Sequence, residues 1–228
     1  FAQPAIFAVE VGLAKVWESL GITPNVICGH SVGEIAAAHI AGALSLVDAI
    51  TVIFYRSLLQ HKTAGMGSML AAAVSKNNAV HLIVPYKGKI SIAAVNSPSS
   101  VTLAGDTDAL ADLEHSLSSD NIFCRHLNVE VPFHSHVMDQ IKDDLLESLQ
   151  SIQPRATKIP LYSTVTGSLI DGAELNANYW WQNVRQPVEF AKTIRSMGDV
   201  EIFLEVSPHT VLNLSIEECQ SKNKNKLV

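Results

Sequence analysis

Hydrophobic residues near the start of the chain recur with the period of an α-helix. Between Pro4, which favours the first turn of a helix, and Gly21, a typical stop, apolar side chains follow a 3,4,3,4 spacing. The residues of this face are Ile6, Val9, Leu13, Val16 and Leu20. The spacing predicts an amphipathic helix with this face as its apolar side.

The next segment alternates a short apolar run with helical patterns. The run over residues 25–28 is apolar and short, which predicts a buried strand. The alanine-rich stretch over 32–41 predicts a helix that can pack closely on a sheet. Ser45 and Asp48 have the spacing of a capping box and predict a further helix through Gln60.

Residues 64–127 have a different pattern, in which two short strands are adjacent between two helices. The predicted elements are a strand over 67–74, a helix over 77–84, strands over 90–95 and 101–104, a helix over 109–117 and a strand over 123–129. This β-α-β-β-α-β order is typical of the ferredoxin-like fold. We interpret the segment as a small subdomain inserted into a larger one.

The remainder of the chain returns to α/β alternation. The predicted elements are a helix over 135–150, a strand over 159–165, a helix over 187–197 and a strand over 201–206. Such alternation predicts a mostly parallel sheet covered by helices. The predicted fold is therefore α/β, with a large subdomain formed by residues 1–63 and 128–228 around the small subdomain 64–127.

Composition limits the classes of function. The chain has 228 residues, of which 47% are hydrophobic and 17% charged, and its net charge is −6, which disfavours nucleic-acid binding. Three distant cysteines without a C-x-x-C motif, no signal peptide and no membrane-length apolar run predict a cytoplasmic protein. The nine histidines have no metal-ligand spacing, so we predict no metal site. Because no apolar run has membrane length, we also predict no membrane partner.

The strongest chemical signal is Gly29-His-Ser-Val-Gly33, between a predicted strand and a predicted helix. A G-x-S-x-G sequence in this context presents its serine, here Ser31, on a sharp turn as a nucleophile. Glycine on either side is expected to leave room for the backbone, and the Val32 N–H is expected to stabilise an oxyanion. The alternative is a glycine-rich turn whose serine merely caps a helix.

The hexapeptide Gly29-His-Ser-Val-Gly-Glu34 resembles the G-H-S-x-G-E signature of the malonyl-CoA:carrier-protein acyltransferases, which include domains of modular polyketide synthases. The resemblance extends from Gln3-Pro-Ala to the Ser-Pro-His-Thr-Val-Leu sequence that ends at residue 212. It implies a hydrolase-like large subdomain with a ferredoxin-like insert. It also implies transfer of a malonyl unit to an acyl-carrier protein without a cofactor, beside a ketosynthase and other synthase domains.

The same resemblance assigns roles to individual residues. His134, which ends Val131-Pro-Phe-His134 near a predicted helix start, is expected to be the general base, kept neutral by the positive end of that helix. The backbone carbonyl of Asn183 is expected to orient its imidazole. Arg56 is expected to bind the free carboxylate of the malonyl group, because a guanidinium pairs two carboxylate oxygens.

Side chains beside these residues are predicted to select the acyl group. Phe133 directly precedes the histidine, and by resemblance a phenylalanine there accompanies malonyl, whereas Tyr-Ala-Ser-His accompanies methylmalonyl. The remaining predicted substrate-binding residues are His30, Met69 and Asn96.

Three expectations concern alternatives to this reading. The absence of Met at Phe1 and the polar tail over 221–228 suggest an excerpt of a longer protein, in which a preceding Gly-Gln-Gly segment would supply a second oxyanion donor. A serine thioesterase or esterase of the α/β-hydrolase type would use a late histidine, and His209 is the candidate. A truncated fragment that only docks a carrier protein is the third possibility.

Overall fold

A computed structural model describes residues 2–220, so Phe1 and the polar tail at 221–228 lie outside it. The helices and strands, in chain order, are α1 (Ala2–Ser19), β1 (Ile27–Cys28), α2 (Gly33–Ile40), α3 (Leu46–His61), β2 (Ser68–Ala72), α4 (Lys76–Ile83), β3 (Ile90–Ser97), β4 (Ser100–Gly105), α5 (Thr107–Ser119), β5 (Cys124–His126), α6 (Lys142–Ser148), β6 (Leu161–Ser163), β7 (Ser168–Ile170), α7 (Ala177–Arg185), α8 (Phe190–Ser196) and α9 (Asn213–Gln220). Within the described range, no helix has both the length and the apolar character needed to cross a bilayer.

The four strands β2–β5 form one antiparallel sheet in the spatial order β3-β4-β2-β5. With α4 after β2 and α5 after β4, the chain follows the β-α-β-β-α-β order, so the predicted ferredoxin-like unit is confirmed. Its strands begin at Ser68 and end at His126, which lie inside the predicted segment 64–127.

A second sheet has the order β1-β6-β7. β1 pairs with β6 in parallel, but β7 pairs with β6 antiparallel, because a tight turn that includes Gly167 at φ +70° reverses the chain. The α/β class is confirmed, whereas this sheet is mixed rather than mostly parallel across the described residues. The predicted strand over 201–206 is wrong: these residues form no strand, and the Ile202 side chain is 84% exposed.

Two predicted helices differ from the structure. The segment 135–150 begins as a 3₁₀ turn over His136–Ile141 and continues as α6, although its predicted inner face is fully buried. The predicted apolar face of α1 is largely exposed, with Val16 53% and Leu20 66% accessible, whereas Phe7 is the buried residue of this helix. The helix is therefore rotated relative to the prediction.

The core consists of two main hydrophobic clusters. One joins α2, α3, α6 and α7 with the β1-β6-β7 sheet. The other underlies the four-stranded sheet and also includes Phe190, Ile194 and Cys219 from α8 and α9. Backbone hydrogen bonds between Val188 and the 93–95 segment of β3 join the two regions. The C-terminal helices thus pack on the small subdomain.

Candidate active site

Ser31 lies on a sharp turn between β1 and α2, which we call the elbow (residues 29–33). Its backbone is left-handed, with φ +53°, a conformation that non-glycine residues rarely adopt. A side chain at Gly29 would collide with the backbone of residues 33 and 34, so glycine is required there. A Cβ at Gly33 would make only an ordinary 3.6 Å contact with Glu10 Oε1, so the prediction that both flanking positions need glycine is wrong for Gly33.

Two features of the elbow affect its chemistry. In the part of the chain that the structure describes, the Val32 backbone N–H donates to no acceptor, so it is free to bind a developing oxyanion. Cys28 directly precedes the elbow, and burial, followed by the charge of Glu34, raises the pKa of its thiol to about 12. The Cys28 thiol is therefore un-ionised at neutral pH.

His134 is hydrogen-bonded to the Ser31 hydroxyl, with 2.7 Å between its Nε2 and the serine Oγ. Its Nδ1 is 2.9 Å from the backbone carbonyl oxygen of Gln186. A carbonyl only accepts, so Nδ1 carries the proton and Nε2 accepts the serine O–H. The orienting carbonyl therefore belongs to Gln186, and the prediction that Asn183 supplies it is wrong, because the chain turns toward the imidazole only after α7 ends at Arg185.

The environment of His134 keeps the imidazole neutral. Burial lowers its pKa to about 3, with further lowering by the charges of Arg56 and His30, against the opposing hydrogen bond to Gln186. The predicted cause was a helix N-terminus, but burial has the largest effect. His134 also has a left-handed backbone, with φ +58°, so both partners of the Ser31–His134 hydrogen bond occupy strained positions.

Arg56 on α3 is buried, and its guanidinium lies beside the serine hydroxyl. Its Nη2 donates to Ser31 Oγ over 3.0 Å, its Nε donates to Asn183 Oδ1 over 3.3 Å, and its Nη1 donates to Gln3 Oε1. Burial lowers its pKa to about 10, while the charge of Glu34 acts in the opposite direction. The group therefore stays cationic at neutral pH and faces the elbow.

Glu34, the first acidic residue of α2, is buried behind the elbow. Its Oε1 accepts from the backbone N–H and the hydroxyl of Thr164, and its Oε2 accepts from Tyr179 Oη and Asn183 Nδ2. Burial raises the pKa of the Glu34 carboxyl, and these four hydrogen bonds oppose that rise. The carboxyl group thus binds donors from two separate parts of the fold, the segment after β6 and helix α7.

His30 and Asn96 join the elbow to the small subdomain. Asn96 Nδ2 donates to Thr102 Oγ1 over 3.2 Å, which turns its Oδ1 toward the Nε2–H of His30 at 2.8 Å. The His30 ring also contacts Phe190, with 5.3 Å between ring centroids, and burial lowers its pKa. The His30 side chain therefore links the elbow to β3.

The remaining predicted residues lie on the sheet side of His134. Phe133 packs with Met69, Ala93 and Ala104 in one small hydrophobic cluster. The structure thus brings Phe133 and Met69 together beside the base. By contrast, His209 is exposed and, among the described residues, the hydrogen bonds of Ser31 Oγ are with His134 and Arg56, which leaves the hydrolase alternative without its late histidine.

The sequence analysis gave no role to several buried polar residues of the site. Gln3 binds Arg56 and donates through Nε2 to Gln60 Oε1 over 2.9 Å. Gln60 is 1% exposed and lies four residues after Arg56, on the same face of α3. Two long polar side chains one turn apart in a largely apolar helix were the available signal for this buried face. Within residues 2–220, no group of three or more metal-ligating side chains is placed to hold a metal ion.

The chain is similar to known proteins over nearly its whole length. The family model described as "Acyl transferase domain" matches residues 1–227. The chain is 42% identical over 218 residues to mycoketide-CoA synthase of Mycobacterium tuberculosis and 38% identical over 218 residues to erythronolide synthase EryA2 of Saccharopolyspora erythraea. These alignments cover 95% of the chain but only 5% and 6% of the two relatives, so the chain spans a small part of each.

A solved structure gives the same comparison in three dimensions. The acyltransferase domain from module 8 of the salinomycin polyketide synthase superposes with a TM-score of 0.96 at 36% sequence identity. The match covers 98% of this chain and 53% of that one. The chain therefore has the fold of about half of that domain's structure.

Proposed function

Because the chain belongs to the acyl transferase domain family, whose model matches residues 1–227, we propose that it transfers malonyl units. The donor is malonyl-CoA, the acceptor is the phosphopantetheine thiol of an acyl-carrier protein, and the acyl group is carried on Ser31 between the two. The synthases among its relatives support a place beside a ketosynthase and other polyketide synthase domains. We further propose that the reaction takes place in the cytoplasm. The proposal needs no cofactor.

One observation carries the proposal: the Ser31 hydroxyl contacts both a neutral imidazole and a buried guanidinium. Its Oγ lies 2.7 Å from His134 Nε2 and 3.0 Å from Arg56 Nη2. In a malonyl thioester, a single methylene separates the free carboxylate from the reactive carbonyl carbon. A substrate of that length can therefore be attacked by the serine while its carboxylate binds the arginine.

In the first half-reaction, Ser31 Oγ attacks the thioester carbonyl and His134 Nε2 takes the hydroxyl proton. The Val32 N–H stabilises the tetrahedral oxyanion. When that intermediate collapses, the C–S bond breaks, and the CoA sulfur takes the proton from His134. The acyl-serine then remains with its carboxylate on Arg56.

In the second half-reaction, the phosphopantetheine thiol gives its proton to His134 and attacks the acyl-serine ester. Collapse breaks the C–O bond, and the proton on His134 returns to Ser31 Oγ. The Nδ1–H bond to the Gln186 carbonyl keeps the imidazole in the tautomer that both steps require. One histidine therefore acts as base and then as acid in each step.

Phe133 supports the choice of malonyl over branched units. Its ring packs with Met69 beside His134, which leaves less room for an α-methyl group than a smaller side chain would. Discrimination of one methyl group by pocket size is worth about 1–3 kcal/mol, so slow loading of methylmalonyl is expected as well.

The experiment that tests the proposal measures covalent loading of Ser31. Purified protein incubated with malonyl-CoA is expected to gain the mass of one malonyl group, and Ser31→Ala is expected to gain none. Arg56→Ala is expected to lose malonyl loading by about 100-fold and to lose acetyl loading far less, because acetyl has no carboxylate to bind. Intact-protein mass spectrometry with both CoA thioesters checks these outcomes.

The controls distinguish an acyltransferase from the two alternatives, a hydrolase and a docking fragment. Loading is expected to fail in His134→Ala and to persist in His209→Ala, and the reverse result would favour a hydrolase. A protein that binds carrier protein but never takes up the acyl group would be a docking fragment. Equal losses of malonyl and acetyl in Arg56→Ala would show that the arginine acts structurally.

A further inference from the structure

Glu34 is a buried carboxyl group that the proposed transfer steps do not use. Its side chain is 3% exposed and contacts neither Ser31 Oγ nor His134. Two hydrogen bonds come from Thr164, one comes from Tyr179 and one comes from Asn183. Burying a carboxyl group is costly unless its acceptors are satisfied, and here both oxygens accept two donors each.

The Asn183 side chain transmits the effect of this carboxylate to the reacting groups. Its Nδ2 donates to Glu34 Oε2 over 2.8 Å and to the backbone carbonyl of Ser31 over 3.2 Å. Its Oδ1 accepts from Arg56 Nε over 3.3 Å. Two of these partners only accept and the third only donates, so a single orientation of the amide satisfies all three.

We propose that Glu34 is a positioning residue for acyl transfer, which holds the Asn183 amide in the orientation that aligns Arg56 with Ser31. This inference rests on the proposed function, in which Arg56 binds the substrate carboxylate. Glu34 itself touches no reacting atom. Its effect on the reaction passes through Asn183.

Asn183 binds both the Ser31 carbonyl and the Arg56 guanidinium, and the position of each matters for the reaction. Ser31 has a left-handed backbone, and its carbonyl is held by the Glu34 N–H at 3.1 Å as well as by Asn183. Arg56 uses Nε for Asn183 and Nη2 for the serine hydroxyl, so the asparagine fixes the plane of the guanidinium. A misplaced guanidinium would lower malonyl loading, and a relaxed elbow would slow attack by the serine itself.

Substitution of Glu34 by glutamine tests this arrangement with little change in shape. If the new NH₂ group replaces Oε2, it faces Asn183 Nδ2, and two donors meet. If it replaces Oε1, it faces the backbone N–H of Thr164, which cannot turn away. A flip of the Asn183 amide would relieve the first conflict only by directing N–H toward Arg56 Nε and oxygen toward the Ser31 carbonyl. Every arrangement therefore loses a contact of the network.

Two measurements on Glu34→Gln distinguish a relaxed elbow from a misplaced Arg56 guanidinium. The first is the rate at which an uncharged fluorophosphonate modifies Ser31, which reports on the serine without needing Arg56 to bind a carboxylate. The second is the ratio of malonyl to acetyl loading, which reports on Arg56. Both are expected to fall by about 10- to 100-fold, as small misplacements in active sites commonly cause.

Tyr179→Phe is the matched control in the same cluster. It removes one hydrogen bond to Glu34 Oε2 but leaves the bond from Asn183, so the melting temperature is expected to fall while both measurements stay close to wild type. If Glu34 has a purely structural role, Glu34→Gln will lower the melting temperature without changing the fluorophosphonate rate or the ratio of malonyl to acetyl loading. That result would overturn the inference.

The double variant Glu34→Gln with Asn183→Asp moves the carboxyl group from position 34 to position 183, its hydrogen-bond partner. The new carboxylate can accept from both the glutamine NH₂ and Arg56 Nε, but it can no longer donate to the Ser31 carbonyl. We expect the malonyl-to-acetyl ratio to recover and the fluorophosphonate rate to stay low. Recovery of neither in a folded double variant would contradict the role of Asn183.

Failure of the proposed function would be distinguishable from failure of this inference. If the wild-type protein takes up no malonyl group, the proposed function fails, but the fluorophosphonate rates of wild type, Glu34→Gln and Tyr179→Phe still test the elbow. If the wild type is loaded and Glu34→Gln matches it in both measurements, only the role of Glu34 fails.

Discussion

At the scale of single residues, the Ser31 hydroxyl lies between a group that accepts its proton and a group that donates to its oxygen. His134 Nε2 accepts, and Arg56 Nη2 donates. The arginine also lowers the pKa of the imidazole, second only to burial. A substrate carboxylate on Arg56 would offset that positive charge, so substrate binding is expected to make His134 a stronger base.

This arrangement predicts an unusual pH dependence for the reactivity of the serine. Because the pKa of His134 is lowered to about 3, the imidazole stays unprotonated throughout pH 5–8. The rate of Ser31 modification by an uncharged fluorophosphonate is therefore expected to show no fall near pH 6.5 as the pH is lowered. In Arg56→Gln the pKa of His134 should rise, and a fall in rate on acidification should appear at higher pH than in wild type. A wild-type rate that halves near pH 6.5 would contradict the prediction.

Sequence reasoning reached the main side chains of the site but missed how they are supported. Ser31, His134 and Arg56 were predictable because a short motif, a tetrapeptide and an arginine in an apolar helix carried the family resemblance. The carbonyl of Gln186 was not, because which carbonyl points at the imidazole depends on the residue where α7 ends. The Glu34 contacts were also hidden, since they come from residues 130 to 149 positions away.

At the scale of elements, hydrophobic spacing predicted where most helices lie, but on α1 and α3 it did not predict which side they bury. On α3, Phe54 and Leu58 are about half exposed, whereas the charged Arg56 is 2% exposed. On α1, the apolar stripe is exposed, and the buried side includes Phe7 and the partly buried Gln3 and Glu10. Polar side chains that belong to the site occupy the inner faces of both helices, which a purely hydrophobic criterion assigns to solvent.

The orientation of α1 can be tested by stability measurements. Phe7→Ala is expected to lower the free energy of unfolding by about 3–5 kcal/mol, because it empties a buried site. Val16→Lys is expected to change it by less than about 0.5 kcal/mol, because this side chain is 53% exposed. Urea unfolding followed by circular dichroism measures both. A large loss in Val16→Lys would show that the apolar stripe is covered in solution.

The strands show the same limit of local pattern. Those of the small sheet were predicted because each has partners supplied by nearby segments, and β2 pairs with both β4 and β5. The apolar residues over 201–206 have similar composition but, across residues 2–220, form no ladder with any strand. Strand formation depends on a partner, and the local sequence does not reveal whether one is in reach.

At the scale of the whole molecule, β3 of the small sheet is connected to both reacting groups. Asn96 on β3 accepts from His30, the residue before the serine. The neighbouring backbone of β3 is hydrogen-bonded to Val188, two residues after the carbonyl that orients His134. The small subdomain therefore helps to hold Ser31 beside His134.

This connection predicts an effect of a residue that touches neither reacting atom. Asn96→Ala is expected to slow fluorophosphonate modification of Ser31 by about fivefold, which corresponds to one lost hydrogen bond worth about 1 kcal/mol. Thr102→Val keeps the Asn96 acceptor for His30 and is expected to have a smaller effect. Stopped-flow or quenched labelling measures the rates. Equal rates for Asn96→Ala and wild type would show that the Asn96–His30 hydrogen bond does not affect the reactivity of Ser31.

The thiol of Cys28 lies three residues before the serine, and its raised pKa has a consequence for the fate of the acyl group. In the proposed transfer, an ionised thiol at the residue before the elbow could capture the acyl unit as a thioester of the protein itself. With a pKa of about 12, about one such thiol in 10⁵ is ionised at pH 7. In the proposed transfer, the Cys28 thiol is therefore not expected to compete with the carrier thiol for the acyl unit.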